Sequence, residues 1–133
     1  MINYLNDVRV FMHKHKQPYS YVPSLVNDSL AEFRIELIRE EFQEYIDAVQ
    51  IGNIYLIADA LADLKYVIFG ADLTYGIPAD SIFDIVHTSN MSKDKLSSNL
   101  ASGGVKVQKS LRYKPPTNGI KQIIDQVIRM SLR

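Results

Sequence analysis

Apolar residues recur along most of this chain at three- to four-residue intervals, the spacing of one face of a helix. Leu5, Val8, Phe11 and Met12 mark a short amphipathic helix over Ile2 to about Lys16. "QPYSYVPSL" follows, and Pro18 and Pro23 make it an extended connection. A second helix is predicted from Asp28 or Ser29 to Val49. Both are suitable N-caps, and Ser29 has Glu32 three residues on, the form of a capping box. Gly52 and Asn53 end that helix and open a third, Ile54 to Gly70. "YGIP" stops the chain, and Pro78 begins a fourth helix, "PADSIFDIVHTSN". From Ser92 to Asn118 the sequence is rich in Ser, Gly, Lys and Pro and reads as a long loop, with one short hairpin around Gly103 and Gly104. A last helix, Ile120 to about Met130, carries Ile123, Ile124, Val127 and Ile128 on one side. The expected fold is all-α: one domain over residues 1–133, a compact bundle of about five helices around a central antiparallel hairpin.

The carboxylates break this pattern. With about 100° per residue, Leu37, Ile38, Tyr45 and Ala48 fall within roughly 60° of Glu41, which therefore lies inside the apolar stripe of helix two. Glu44 sits at the edge of the stripe and Glu40 further round, whereas Glu36, Arg39 and Asp47 belong to a solvated face. Helix three is apolar in almost every direction, yet it keeps Asp59 and Asp63 about 40° apart on one face, with Lys65 pointing away. In an antiparallel hairpin pivoting near Ile51 and Gly52, Glu44 stands level with Asp59 and Glu41 with Asp63. Four carboxylates thus converge about two turns, roughly 11 Å, from the loop. Such a group repels itself unless a cation sits within it, and oxygen ligands without His or Cys select Mg²⁺, or Mn²⁺ in its place.

Composition narrows the partners. Lys plus Arg and Asp plus Glu number 15 each, so no net basic field points to nucleic acid. Acids crowd between Glu32 and Asp63, while the tail from Lys93 is basic, a division that suits a metal with a polyanionic substrate. Cysteine is absent, which removes disulfides and thiolate metal sites. The N-terminal stretch lacks a signal-peptide core, and no apolar run reaches the ~20 residues of a membrane span. A soluble, cytoplasmic protein without a membrane partner is expected.

"EEFQE" (Glu40, Glu41, Glu44) and "DALAD" (Asp59 to Asp63), followed by "SNMSK", resemble the all-α NTP pyrophosphohydrolase superfamily, above all its MazG-like branch. "ADALADLKYVIFGADLTYGI", "IFDIVHTSNMSK" and "GVKVQKSLRYKPP" extend the likeness over about residues 30–120. One position departs: the family's second motif is ExxD, whereas Ala60 stands three before Asp63 and the acid is Asp59. The resemblance implies hydrolysis of a nucleoside or deoxynucleoside triphosphate to the monophosphate and pyrophosphate, in nucleotide-pool housecleaning. Glu41, Glu44, Asp59 and Asp63 would hold the metal, and Glu40 or Glu41 would act as general base, with Glu41 favoured as ligand and Glu40 as base. Asn90 and Lys93, then Lys109 and Tyr113, are the candidates for phosphate contact. Their ordinary reading is a helix C-cap for Asn90 and a surface lysine for Lys109. Arg34 lies near the direction of Glu41 and either pairs with an acid or reaches a phosphate. Tyr66 shares the Asp59/Asp63 face and either stacks on a base or packs in the core.

Two other functions fit parts of this pattern. A helical oligomer that binds Mg²⁺ or a nucleotide without turnover shares every motif, and only turnover separates it from an enzyme. A di-iron carboxylate bundle needs a carboxylate-x-x-His from each of two helices, and the chain offers one, Asp84 and His87. Because helix three is apolar all round, a homodimer or homotetramer is expected.

Overall fold

The computed structural model describes residues 2–93, 102–104, 109 and 111–133. Five helices run in order: α1 Tyr4–Lys14, α2 Asp28–Ile51, α3 Ile54–Tyr75, α4 Ala79–Met91 and α5 Thr117–Ser131. The fold is all-α, with no strand among the described residues. The hairpin expected around Gly103 and Gly104 falls on a stretch that lies largely outside the described residues. No helix among the described residues is long and apolar enough to cross a membrane.

The chain divides into two units, Met1–Ile77 and Pro78–Arg133. In the first, α2 and α3 form the antiparallel hairpin and α1 packs on α3. Gly52, at φ 75°, closes α2 in the left-handed conformation, and its N–H reaches the Ala48 and Val49 carbonyls. Asn53 then caps α3 by accepting from the Tyr55 and Leu56 N–H groups. The α2 cap is Asn27, one residue before the expected Asp28 or Ser29. Its side chain accepts from Leu30 N–H at 2.8 Å, which places Ser29 inside the helix and leaves no capping box.

Helix α3 does not stop at Gly70. It continues to Tyr75 and ends at Gly76, φ 68°, because only Gly76 takes the left-handed conformation that turns a helix off. Gly76 also lies against the backbone of Val22, where a Cβ would stand 2.6 Å from the carbonyl carbon. The segment after α1 straps this end of α3: Ser20 N–H donates to the Leu73 carbonyl and Ser24 N–H to that of Tyr75. Beneath the strap Val8, Met12 and Leu73 form the core, flanked by Leu5, Tyr19 and Phe69.

In the second unit α4 packs against α5. Ser89 and Ser92, at the end of α4, hold the chain that leads into α5. Ser89 Oγ donates to the Lys114 carbonyl at 2.7 Å, and Ser92 Oγ accepts from Lys114 N–H at 2.9 Å while donating to the Ser89 carbonyl. The C-cap is therefore Ser92 and not Asn90.

Candidate active site

The hairpin register brings three of the four expected carboxylates together. One oxygen each of Glu41, Glu44 and Asp63 lie within 4.8 Å of one another. Asp59 is outside that group and exposed. Helical side chains lean toward their own N-terminus. On α2 they consequently lean away from the turn and on α3 toward it. Glu44 rises to the level of Asp63, and Asp59, one turn nearer the loop, is left behind.

Glu41 is the inner member of the three. Its Oε2 is buried and has no hydrogen-bond partner among the described residues. Burial pushes its carboxyl up from the usual range, and the neighbouring carboxylates of Glu44, Asp63 and exposed Glu40 add to that effect. A buried acceptor without a donor, beside two more carboxylates and with no cationic side chain within ion-pair distance among the described residues, fits a hard divalent cation coordinated by oxygen. Glu41, Glu44 and Asp63 would hold such an ion.

Glu41 and Asp63 open into a cavity of about 400 Å³ between α1, α2 and α3. Its other walls include Phe11, Met12, Gln17, Arg34, Tyr66 and Gly70. Sequence reasoning placed Arg34 and Tyr66 near the acids, and both line this cavity. Tyr66 packs edge-on against Phe11 with ring centroids 5.4 Å apart, yet stays 37% exposed. Its hydroxyl is held above its ordinary pKa by burial and then by Asp7. Tyr66 also faces a second cavity, of about 430 Å³, lined by Tyr4, Asp7, Lys65 and Phe69.

Arg34 is only 3% exposed. Among the described residues no carboxylate lies within ion-pair distance of it, so the expected alternative of an acid partner is not realised. Its Nη2 donates to Gln17 Oε1 at 2.9 Å, and its Nε has no hydrogen-bond partner among the described residues. Burial lowers its pKa from the usual arginine value. The guanidinium rests on Gly70, where a Cβ would meet Nη1 at 2.7 Å. Gly70 is the residue that the helical pattern misread as a stop. A glycine inside a helix costs about 0.5–1 kcal/mol relative to alanine, and here it makes room for a buried charge. Gln17 and Gly70 were missed as site residues; the available signal was a glycine within an unbroken apolar run, level with Arg34 across the hairpin.

The remaining candidates belong to the second unit. Lys93 Nζ and Lys109 Nζ stand 5.6 and 5.3 Å from the Tyr113 ring centroid, two ammonium groups on one aromatic ring. Asn90 is exposed near the end of α4, where its carbonyl accepts from Lys93 N–H.

An uncharacterized protein of Acanthamoeba polyphaga mimivirus, L479, is 26% identical over 119 residues, which are 90% of this chain and 45% of the viral protein. The chain thus spans about half the length of that relative. A model of the phosphoribosyl-ATP pyrophosphohydrolase family matches residues 8–90, a span that holds α2, α3 and all three clustered carboxylates. The chain belongs to the phosphoribosyl-ATP pyrophosphohydrolase family, within the all-α superfamily of MazG-like NTP pyrophosphohydrolases.

Proposed function

We propose that the protein hydrolyses a nucleoside or deoxynucleoside triphosphate to the monophosphate and pyrophosphate, using Mg²⁺, for which Mn²⁺ can substitute. The observation that carries this reading is the buried, partnerless Glu41 oxygen within a three-carboxylate group at a cavity wall. Membership of a pyrophosphohydrolase family supports the reaction type. The bound ion would neutralise phosphate charge and lower the pKa of the attacking water. Glu41, Glu44 and Asp63 hold the ion in this reading, and Asp59 contributes through water.

Glu40, exposed beside Glu41, takes a proton from the attacking water. The water oxygen forms a bond to the phosphorus of the nucleoside monophosphate portion as the bond to the pyrophosphate oxygen breaks. Tyr66 offers a ring face at the cavity mouth for the base. Asn90, Lys93, Lys109 and Tyr113 are proposed as phosphate contacts, on the strength of two ammonium groups gathered on one ring. The described cluster includes no histidine, which favours this chemistry over a di-iron bundle.

A homodimer or homotetramer in the cytoplasm completes the proposal. Phe42, Val49, Ile51, Ile54 and Tyr55 of the hairpin are 49–82% exposed, an apolar surface that a second copy would cover. Light scattering at micromolar concentration tests this, and a monomer would count against it. The reaction is tested by following monophosphate and pyrophosphate from a panel of NTPs and dNTPs with Mg²⁺, with Glu41→Gln as control. Monophosphate plus pyrophosphate from one substrate, lost in the variant, supports both reaction and site. Retained hydrolysis in Glu41→Gln would sink the site, and no turnover of any substrate would favour a binding protein.

A further inference from the structure

We infer that Arg34, seated on Gly70 and tethered by Gln17, forms an anion subsite for the pyrophosphate portion of the substrate. The inference rests on the proposed hydrolysis for the identity of the ligand, but not for the existence of the subsite.

A guanidinium buried to this degree normally faces a carboxylate, because an uncompensated buried charge is strongly disfavoured. Arg34 has one hydrogen bond, to the neutral Gln17 side-chain oxygen, and lies 5.1 Å from the Phe33 ring centroid, while its Nε has no hydrogen-bond partner among the described residues. An incoming anion would complete both its charge and its hydrogen bonding. The planar fork of arginine is suited to two phosphate oxygens at once, which a lysine at this point could not match.

Position supports a polyphosphate rather than a small monovalent anion. Arg34 precedes Glu41 by seven residues on α2, and Gly70 follows Asp63 by seven on α3. The guanidinium therefore stands two helical turns, roughly 10 Å along the axes, from the carboxylates. Both ends line one cavity. A divalent ion on the carboxylates would offer coordination to phosphate oxygens at one end of that cavity while Arg34 offers N–H donors at the other, which suits an elongated anion between them. A substrate attacked at the metal end would lay its leaving pyrophosphate toward Arg34, where the charge that develops on departure is met by fixed donors.

The test is calorimetric titration of the intact protein with inorganic pyrophosphate in Mg²⁺, comparing wild type with Arg34→Met, Arg34→Lys and Gly70→Ala. Removing a charged, two-pronged contact should weaken pyrophosphate binding roughly 10- to 100-fold in Arg34→Met, with partial recovery in Arg34→Lys. Gly70→Ala keeps the charge but pushes the guanidinium off its seat, and should weaken binding as well. Mn²⁺ affinity without anion, read by paramagnetic resonance, should stay as in wild type or tighten in Arg34→Met, whereas a structural collapse would lose metal and anion together. Should Arg34→Met fail to fold, Gly70→Ala and Arg34→Lys decide. The inference is overturned if folded variants bind pyrophosphate within twofold of wild type, or if wild type binds none at millimolar concentration. Pyrophosphate binding that depends on Arg34, without turnover of any triphosphate, would retain the subsite and reject the proposed hydrolysis. Turnover with pyrophosphate inhibition unchanged in Arg34→Met would do the reverse.

Discussion

Two glycines end helices in the same left-handed conformation, and replacing each by alanine separates backbone strain from steric conflict. Gly52 has φ 75° and open space around its missing Cβ. Gly76 has φ 68°, but its Cβ would stand 2.6 Å from the Val22 carbonyl carbon and closer still to the oxygen. Alanine in the left-handed region is about 1–2 kcal/mol unfavourable. Reduced freedom of the unfolded chain returns about 0.4–1 kcal/mol of that. Gly52→Ala should therefore destabilise by about 1 kcal/mol. Gly76→Ala carries the same strain, and it must also push the strap away from α3. Overpacking of this kind costs about 1–3 kcal/mol, and disturbing the Ser20 and Ser24 hydrogen bonds adds about 1 kcal/mol more. The expected loss is about 4 kcal/mol. Urea and thermal unfolding followed by far-UV dichroism should show Tm falling by roughly 4 °C per kcal/mol, a small shift for Gly52→Ala and about four times as much for Gly76→Ala. Equal losses in the two variants, within about 1 kcal/mol by the same reasoning, would refute the steric argument and mean that the strap moves freely.

Other outcomes follow from the same contacts. Mg²⁺ or Mn²⁺ should raise the Tm of wild type, and Glu41→Gln should lose most of that rise without being less stable in chelator, since its neutral amide relieves repulsion from Glu44 and Asp63; a full metal-induced rise in the variant would contradict the proposed ligand set. Burial raises the Asp72 carboxyl above its unfolded value, so the folded chain binds the proton more tightly. The contribution of Asp72 is unfavourable above its folded pKa and is relieved as pH falls through it. Asp72→Asn should be at least as stable as wild type at pH 7 and gain less on acidification into the carboxylate range; a marked loss at pH 7 in urea titrations would show that the carboxylate is needed. Ser89→Ala removes the hydrogen bond to the Lys114 carbonyl and should destabilise the second unit by about 1–2 kcal/mol. Faster amide exchange in α5 is the sign of that loss, and unchanged exchange would mean that Ser92 alone suffices.

The grouping of carboxylates in the candidate site was legible because helical geometry is local. The 3.6-residue repeat put Glu41 on an apolar stripe, and a short turn at Gly52 fixed which residues of α2 and α3 stand level. Glu41, Glu44 and Asp63 could thus be brought together on paper. Asp59 could not be separated from them, because residue spacing gives height and angle but not the lean of each side chain toward its helix N-terminus. At the other end of the cavity the same spacing left Arg34 open between an acid partner and a phosphate.

The sequence by itself determined five helices, their approximate limits and the identity of the acidic hairpin, since these depend on periodicity, capping chemistry and turn residues that act over a few positions. Tertiary structure alone decided the two meanings of glycine on α3. Gly70 lies mid-helix because Arg34 occupies the space of its side chain, and Gly76 ends the helix where Val22 crosses it. Both contacts come from segments more than thirty residues away in the chain. Whether a buried arginine finds a carboxylate is likewise set by what the fold brings within reach of it, and here that is Gln17 and an open cavity.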